Sequence, residues 1–162
     1  MDSYQQMKDT AEQQEALLRF ERFSSDIAWE LGKFLAERVR EKGIQLAIVI
    51  QKLNGHILFQ YATEKTSLNN QNWLRRKCNT VALLECSSLK AWANSYISGE
   101  KIPDHGLSEK DYVLCGGGFP IRLKTGEMVG VLAVSNLPHV QDHGFVVEAL
   151  SEWLSVDNVP GI

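Results

Sequence analysis

Two segments of the chain predict β-hairpins, and each contains one strand without a polar face. All five side chains of residues 46–50 (Leu-Ala-Ile-Val-Ile) are apolar, and an Asn-Gly turn at 54–55 leads to the returning strand 56–61. The second hairpin turns at 125–126 (Thr-Gly) and returns in the apolar strand 128–134. Asn-Gly favours a two-residue hairpin because both residues tolerate positive φ. A strand that is apolar at every position is usually covered on both faces, so this sheet needs helices on both sides.

Three helices are predicted around the hairpins. The first begins at Ser24-Ser25-Asp26, where short polar side chains can cap free N–H groups, and ends before Gly43. The second lies between residues 66 and 96, and the third opens around Pro138, whose ring presets the helical φ. Residues 97–111 carry two glycines, a proline and several charges and are interpreted as a long loop.

This order of elements predicts the fold class. Helix, hairpin, helix, hairpin and helix fit an α+β protein with a three-layer α/β/α sandwich and a mainly antiparallel sheet. Such a fold is profilin-like and differs from a doubly wound one. We expect residues 1–15 to be a flexible or weakly helical lead-in, 16–156 a single domain and 157–162 a tail. The stretch 17–23 is interpreted as a short strand or the end of a helix.

Composition excludes several classes of protein. The 162 residues include 17 basic and 20 acidic side chains, for a net charge of −3, which argues against a general nucleic-acid binder. No apolar run approaches the roughly 20 residues that a membrane span needs. The three cysteines form no C-x-x-C pair, and the first residues are polar and acidic, unlike a secretory signal. These features favour the reducing cytoplasm, with no membrane and no nucleic-acid partner.

The run Gly116-Gly117-Gly118 is the most unusual local feature of the sequence. Glycines let the backbone approach another group closely, so the run indicates either tight packing at the start of a strand or a wall that faces a ligand. A strand and not a helix follows, and no nucleotide fingerprint is matched. The basic triplet 75–77 (Arg-Arg-Lys) cannot face one ligand with all three side chains, because consecutive helix residues point about 100° apart. A cation of this triplet that turned inward would need an anion.

His139 and His143 are four residues apart at the start of the last helix, so they share one face. This spacing is compatible with metal or haem ligands, and equally with capping or surface residues. Neither an H-E-x-x-H motif nor a cysteine pair accompanies it, so we predict no metal centre, and name only His139, His143 and Cys115 as side chains that could begin one. Cys115 could act as a nucleophile beside a histidine, but a lone cysteine among glycines is more often a small core residue.

Three motifs resemble the uncharacterised protein family 0303 (UPF0303), a branch similar to the GlcG/HbpS-like proteins that carry a "haem-degrading domain". They are residues 70–81 (N-x-N-W-L-R-R-K-x-N-T-V), 116–121 (G-G-G-F-P-I) and 134–138 (V-S-N-L-P) followed by Asp142-His143. The resemblance extends roughly from residue 17 to residue 155. It implies an α/β/α sandwich, and assembly into dimers or larger rings. It also implies haem or a related tetrapyrrole as the cofactor to consider.

The resemblance further implies a ligand-binding pocket between the middle helix, the glycine run and the last helix. The residues carried over by position are Trp73, Arg76, Lys77, Gly117, Gly118, Phe119, Asp142 and His143. Cations, backbone N–H groups and an imidazole in one cleft would suit a ligand with a carboxylate. Cys115 stands where the resemblance leads us to expect a histidine, which weakens a haem or metal site. Asn136 stands where a glycine is expected.

Three functions remain open at this point. The leading hypothesis is a cytoplasmic homo-oligomeric module that binds a small anionic molecule through Arg76, Lys77 and the glycine amides, with His143 as the candidate catalytic acid or base. The first alternative is a haem-binding or haem-degrading enzyme that uses His143. The second is a protein-interaction scaffold without catalysis. Whether the protein is an enzyme is left open by the sequence.

Overall fold

The computed structural model describes residues 3–162, which form five α-helices and four β-strands within that range. In chain order the elements are α1 (Ser3–Leu17), α2 (Ser25–Lys42), β1 (Ala47–Lys52), β2 (Ile57–Ala62), α3 (Leu68–Leu84), α4 (Ser88–Ser98), β3 (Gly118–Arg122), β4 (Met128–Ser135) and α5 (His139–Trp153). A short 3₁₀ turn, Ile102–His105, follows α4. Among these described residues, no helix is long and apolar enough to cross a lipid bilayer.

The four strands form one antiparallel sheet in the order β2-β1-β4-β3. The two strands that the sequence shows as apolar at every position, β1 and β4, are the central pair, with Ile48 opposite Val134. One face of the sheet packs on α2 and α5 around Ile48, and the other packs on α3 around Val49. The predicted α+β class, its antiparallel sheet and its covered central strands are therefore confirmed.

Helix α2 begins and ends where its capping residues predict. The Ser24 hydroxyl accepts a hydrogen bond from the Ile27 N–H at 3.2 Å. At the other end Gly43 adopts φ 63°, the left-handed conformation that helix C-termini use, and its N–H bonds back to the last turn. Local chemistry thus sets both ends of this helix.

The middle helix differs from its prediction, because it is two helices. The chain leaves α3 at Glu85, which adopts the left-handed region with φ 52°, and Ser87 then caps α4 by accepting from the Lys90 N–H at 3.2 Å. The apolar spacing continues across this break, so hydrophobic periodicity alone does not reveal it. The predicted loop 97–111 is shorter at its start, because α4 runs to Ser98 and the 3₁₀ turn follows.

The N-terminal segment, predicted to be flexible or weakly helical, is helical within the part that is described. Residues 3–17 form α1, a complete helix that packs on α4, and Ala11 and Gln14 on its inner side are buried. Its polar sequence hides this role, because helix stability in proteins comes mainly from tertiary packing. Phe20, just beyond α1, pairs in parallel with Leu123 beside β3. Residues 157–162 are irregular, and the division into a 16–156 domain with a tail remains a prediction.

Candidate functional site

Lys77 and Asp142 form an ion pair in the interior of the protein. Lys77 Nζ lies 2.9 Å from Asp142 Oδ2 and also donates to the Val134 carbonyl at 2.9 Å. Lys77 is 2% exposed and Asp142 1% exposed. The other carboxylate oxygen, Oδ1, accepts from the Leu137 N–H at 3.0 Å at the start of α5. Burial raises the pKa of Asp142, and the Lys77 charge opposes that shift. Lys77 is therefore the cation of the basic triplet that turns inward, and Asp142 of the same protein is its anion.

The glycine run provides the space in which this ion pair sits. Gly117 has φ 127°, and a Cβ atom there would lie 2.6 Å from the Val134 carbonyl oxygen and 2.7 Å from Lys77 Nζ. Gly118 is equally close to its neighbours, and its N–H donates to the Ser88 hydroxyl at 2.8 Å. Of the two interpretations of this run, close backbone packing is the one that the structure shows. Phe119 follows in β3 and is buried in the core.

The two histidines of α5 have separate partners. His143 is 1% exposed, and its Nε2 donates to Gln14 Oε1 at 2.7 Å, while Nδ1 is buried without a hydrogen-bond partner. Burial lowers the pKa of His143 to about 4, so the ring is neutral at pH 7. His139 Nδ1 accepts from the Gly116 N–H at 3.0 Å, and the ring packs edge-on to Trp92. Burial lowers the pKa of His139 as well.

Trp73 and Arg76 contact each other, and Arg76 also contacts the segment that follows α4. The Arg76 guanidinium stacks over the Trp73 ring at 4.7 Å and donates to the Glu109 carbonyl at 2.7 Å. The structure thus brings Lys77, the glycines, Phe119, Asp142 and His143 together, whereas Arg76 donates to the carbonyls of Glu109 and Tyr112 and stacks on Trp73. Because Lys77 and Asp142 are buried and paired with each other, neither presents a free charge to a ligand.

The cysteines have the character of packed thiols. Burial raises the pKa of Cys78 and of Cys86 to about 12, and raises that of Cys115 in the glycine segment. A thiol with a raised pKa holds little of the thiolate that nucleophiles and metal ligands need. Within residues 3–162, no group of three or more histidine, cysteine or acidic side chains could hold a metal ion.

A cavity of about 580 Å³ lies between α3 and the strands β1 and β2. Its walls are formed by Val49, Gln51, Gly55, Ile57, Gln60, Leu68, Gln71, Asn72, Leu74, Arg75 and Asn79. Sequence reasoning missed this site. The signal available was Gln51, a buried polar residue that continues the apolar run of the first strand.

Three carboxamides on the wall of this cavity are free of internal partners. Gln51, Gln60 and Gln71 make no side-chain hydrogen bond to any group of the described chain, although Gln51 is buried. Arg75 also lines the cavity, and its guanidinium donates to Asp111 at 3.0 Å and to Asn72 at 3.1 Å. Gln60 and Gln71 are exposed, where water can satisfy their amides. Gln51 is buried, and buried polar groups are normally hydrogen-bonded, so its amide is an unused donor and acceptor on the cavity wall.

The family follows from comparison with known proteins. A family model described as "Haem degrading protein HbpS-like" matches residues 23–151. A UPF0303 protein of Yersinia enterocolitica is 35% identical over 153 residues, which cover 94% of this chain and 90% of that protein. Another, from Zymomonas mobilis, is 40% identical over 89% of this chain and 77% of its own length. The chain belongs to the UPF0303 proteins of the HbpS-like family.

Solved structures share the fold of this UPF0303 protein. The Ybr137w protein superposes with a TM-score of 0.80 at 24% identity, over 95% of this chain and 88% of that one. HbpS gives a TM-score of 0.66 at 14% identity, over 84% of this chain and 92% of its own. A complex of PduOC with haem gives 0.62 at 16% identity, over 80% and 93%. At these identities the likeness shows the fold alone.

The family description names haem, and a histidine that binds haem iron must offer a ring nitrogen that is free of other partners. His143 lies on the wall of a second cavity, of about 510 Å³, between α5 and residues 156–162. Its Nε2 is taken by Gln14, and its Nδ1 has no access to solvent. His139 uses Nδ1 for the Gly116 N–H. In this arrangement neither His143 nitrogen is open to an iron, so the residues do not fit haem ligation by His143.

Proposed function

We propose that this UPF0303 protein is a small-molecule-binding module, and that its ligand occupies the cavity between α3 and the β1–β2 strands. The observation that carries the proposal is that the buried Gln51 lines this cavity with its carboxamide unbonded within residues 3–162, and that the exposed carboxamides of Gln60 and Gln71 line the same cavity. A volume of about 580 Å³ lies in the range of ligand sites, about 300–1,000 Å³.

The lining favours a small organic acid with a polar body. Carboxamides offer both donors and acceptors, and Val49 and Leu74 supply apolar contact on the same wall. Arg75 is the cation of this cavity, and it and its partner Asp111 are each about half exposed, at 47% and 51%. Exposed ion pairs contribute little free energy, so a ligand carboxylate can take the guanidinium from Asp111. The ligand that we propose is therefore still an anion, as predicted from the sequence. The cation that binds it is Arg75, and not Arg76 or Lys77.

The remaining predictions about the setting of the protein belong to this proposal. The module acts in the cytoplasm as a homo-oligomer, a dimer or larger ring, without nucleic acid or membrane. The haem alternative requires Gln14 to release His143, and the scaffold alternative requires the cavity to stay unused.

A thermal-shift screen of small carboxylic acids, each paired with its neutral amide, tests the proposal. We expect acids that raise the melting temperature of the wild type to lose this effect in Gln51→Leu and Gln71→Leu. In Arg75→Gln the preference for acid over amide should disappear. Arg76→Gln is the matched control, because it removes the next cation of the same helix, outside the cavity, and should leave the shift unchanged.

Two outcomes contradict the proposal. One is a ligand effect that disappears in Arg76→Gln and persists in Gln51→Leu, which would place the ligand elsewhere. The other is a screen in which no acid raises the melting temperature. A saturable Soret change on haemin titration that depends on His143 would then favour the haem alternative, and its absence the scaffold alternative.

A further inference from the structure

Arg75 and Asp111 form an ion pair at the rim of the cavity between α3 and the β1–β2 strands. Arg75 Nη1 donates to Asp111 Oδ1 at 3.0 Å, and about half of each side chain is exposed. Among the described residues that line this cavity, Arg75 is the only one with a charge. The charge of the cavity wall is therefore neutralised by a carboxylate that lies just outside it.

Main-chain hydrogen bonds hold Asp111 close to the cavity. Asn79, which also lines the cavity, donates through Nδ2 to the Asp111 carbonyl at 2.8 Å, and Arg75 Nη2 donates to the Lys110 carbonyl at 3.0 Å. Neither bond uses the Asp111 carboxylate, whose one hydrogen-bond partner within residues 3–162 is Arg75. The carboxylate can therefore separate from the guanidinium while the backbone of this segment stays on α3.

A ligand whose only charge is a carboxylate leaves one charge of this pair without a partner. When it takes the Arg75 guanidinium, the Asp111 carboxylate loses its partner and lies close to a second anion. Like charges at such short distances repel each other, more strongly at a protein surface than in bulk water. A ligand with a cation beside its carboxylate avoids this cost, because its cation replaces the guanidinium as the partner of Asp111.

We propose that the ligand of this cavity is an α-amino acid, bound as a zwitterion between Arg75 and Asp111. Its carboxylate accepts hydrogen bonds from the Arg75 guanidinium, and its ammonium group donates to the Asp111 carboxylate. One ion pair is then replaced by two, and the net charge stays at zero. This inference rests on the binding function proposed above and adds the ammonium group as a requirement.

The wall of the cavity indicates the side chain of this amino acid. Gln51 lies on the central strand β1 and is 9% exposed, and its carboxamide has no hydrogen-bond partner in the described chain. A carboxamide both donates and accepts, so it pairs best with a group that does the same. Gln60 and Gln71 line the same cavity. The side chain that fits is neutral and polar, and ends in a carboxamide or a hydroxyl.

Titration calorimetry with matched compounds tests the proposal. The probes are L-serine, L-threonine, L-asparagine and L-glutamine, each with two analogues. The α-hydroxy acid replaces the ammonium by a hydroxyl of similar size, and the amino amide removes the carboxylate. We expect at least one amino acid to bind at least about tenfold more tightly than both of its analogues.

Substitutions assign each charge of the ligand to its partner. In Asp111→Asn the advantage over the α-hydroxy acid should disappear, and in Arg75→Gln the advantage over the amide should disappear. Glu109→Gln is the matched control, because this acid lies on the same segment and only its carbonyl binds α3, through Arg76. It should leave all three affinities unchanged. Circular dichroism checks that each variant is folded.

The outcomes separate this inference from the binding proposal on which it rests. If α-hydroxy acids bind as tightly as amino acids, or if Asp111→Asn keeps the preference for the amino acid, the zwitterion is overturned and binding of an anion stands. If no amino acid of the panel binds, the zwitterion is again overturned. The binding function then stands only when the wider screen of acids gives a hit that is lost in Gln51→Leu.

Discussion

The buried contact between Lys77 Nζ and Asp142 Oδ2, 2.9 Å long, joins the two helical layers of the protein. Lys77 belongs to α3 on one face of the sheet and Asp142 to α5 on the other. The lysine also binds the Val134 carbonyl of the central strand β4, so one ammonium group holds all three layers. The glycine run leaves room for it.

Removal of either charge alone should be strongly destabilising. We expect Lys77→Met or Asp142→Asn to lower the free energy of unfolding by about 3–5 kcal/mol, because each leaves an uncompensated group in the interior. The double variant should be less unstable than the sum of the two. Urea denaturation followed by fluorescence measures all three. The control is Lys124→Met, which breaks the exposed pair with Glu21 and should cost less than about 1 kcal/mol. Equal losses at the two sites would contradict this account.

Gly117 should not tolerate even a methyl group. Gly117→Ala requires a left-handed φ and places Cβ 2.6 Å from the Val134 carbonyl oxygen, so we expect a loss of about 2 kcal/mol or more. Gly144→Ala is its counterpart inside α5, where a Cβ meets nothing within 4 Å, and should gain up to about 1 kcal/mol from helix propensity. Thermal melting compares the two. A harmless Gly117→Ala would show that the glycine run is not closely packed in solution.

His143 should make the protein less stable in mild acid. Its pKa is about 4 in the folded state against an ordinary value near 6.5, so below pH 6.5 the unfolded chain binds a proton that the folded chain refuses. The contribution of neutral His143 to the free energy of unfolding is fully present above pH 6.5. It falls by about 3 kcal/mol as the pH is lowered toward 4. Burial raises the pKa of Glu15, which acts in the opposite direction.

His143→Gln isolates the histidine contribution, because Glu15 is present in both proteins. Urea denaturation at pH 7 and at pH 4.5 should show a larger loss in the wild type than in the variant. If the free energy of unfolding fell equally in both proteins between pH 7 and pH 4.5, His143 would not be held as a buried, neutral ring.

Gln14 should hold the C-terminal segment against the body of the protein. Its Nε2 donates to the Pro160 carbonyl at 2.7 Å, and its Oε1 accepts from His143 at 2.7 Å. Gln14→Leu leaves these groups without partners, and we expect a cost of about 1–3 kcal/mol and faster proteolysis within residues 156–162. Gln5→Leu on the same helix, which removes only the bond to Asp9, should change neither measurement. Unchanged proteolysis in Gln14→Leu would mean that other contacts hold the segment.

Local chemistry accounts for the elements that were predicted correctly. An Asn-Gly turn, strands apolar on both faces, the Ser24 cap and the Gly43 stop each act over a few residues, so the chain alone specifies both hairpins and helix α2. The central position of β1 and β4 follows from the same pattern, because only a covered strand can be apolar throughout.

Contacts between distant residues decided what local patterns could not. The break at Glu85 interrupts an apolar spacing that continues on either side, and α1 becomes a structural helix through its packing on α4. The sequence identified Lys77, Asp142 and the glycines as neighbours through family resemblance, and the fold determined that they bind one another.

The sequence by itself therefore determined the class of fold, the order of most elements and the family of this chain. Only the tertiary structure decided which polar groups are used internally and which are left free. Lys77 and Asp142 bind each other across the end of the sheet. Gln51 and Gln71, which are 20 residues apart in the chain, line a common cavity, and their side chains have no hydrogen-bond partner in the described chain. The physical reason is that hydrogen bonding and desolvation depend on which atoms meet in space, and chain spacing does not record that.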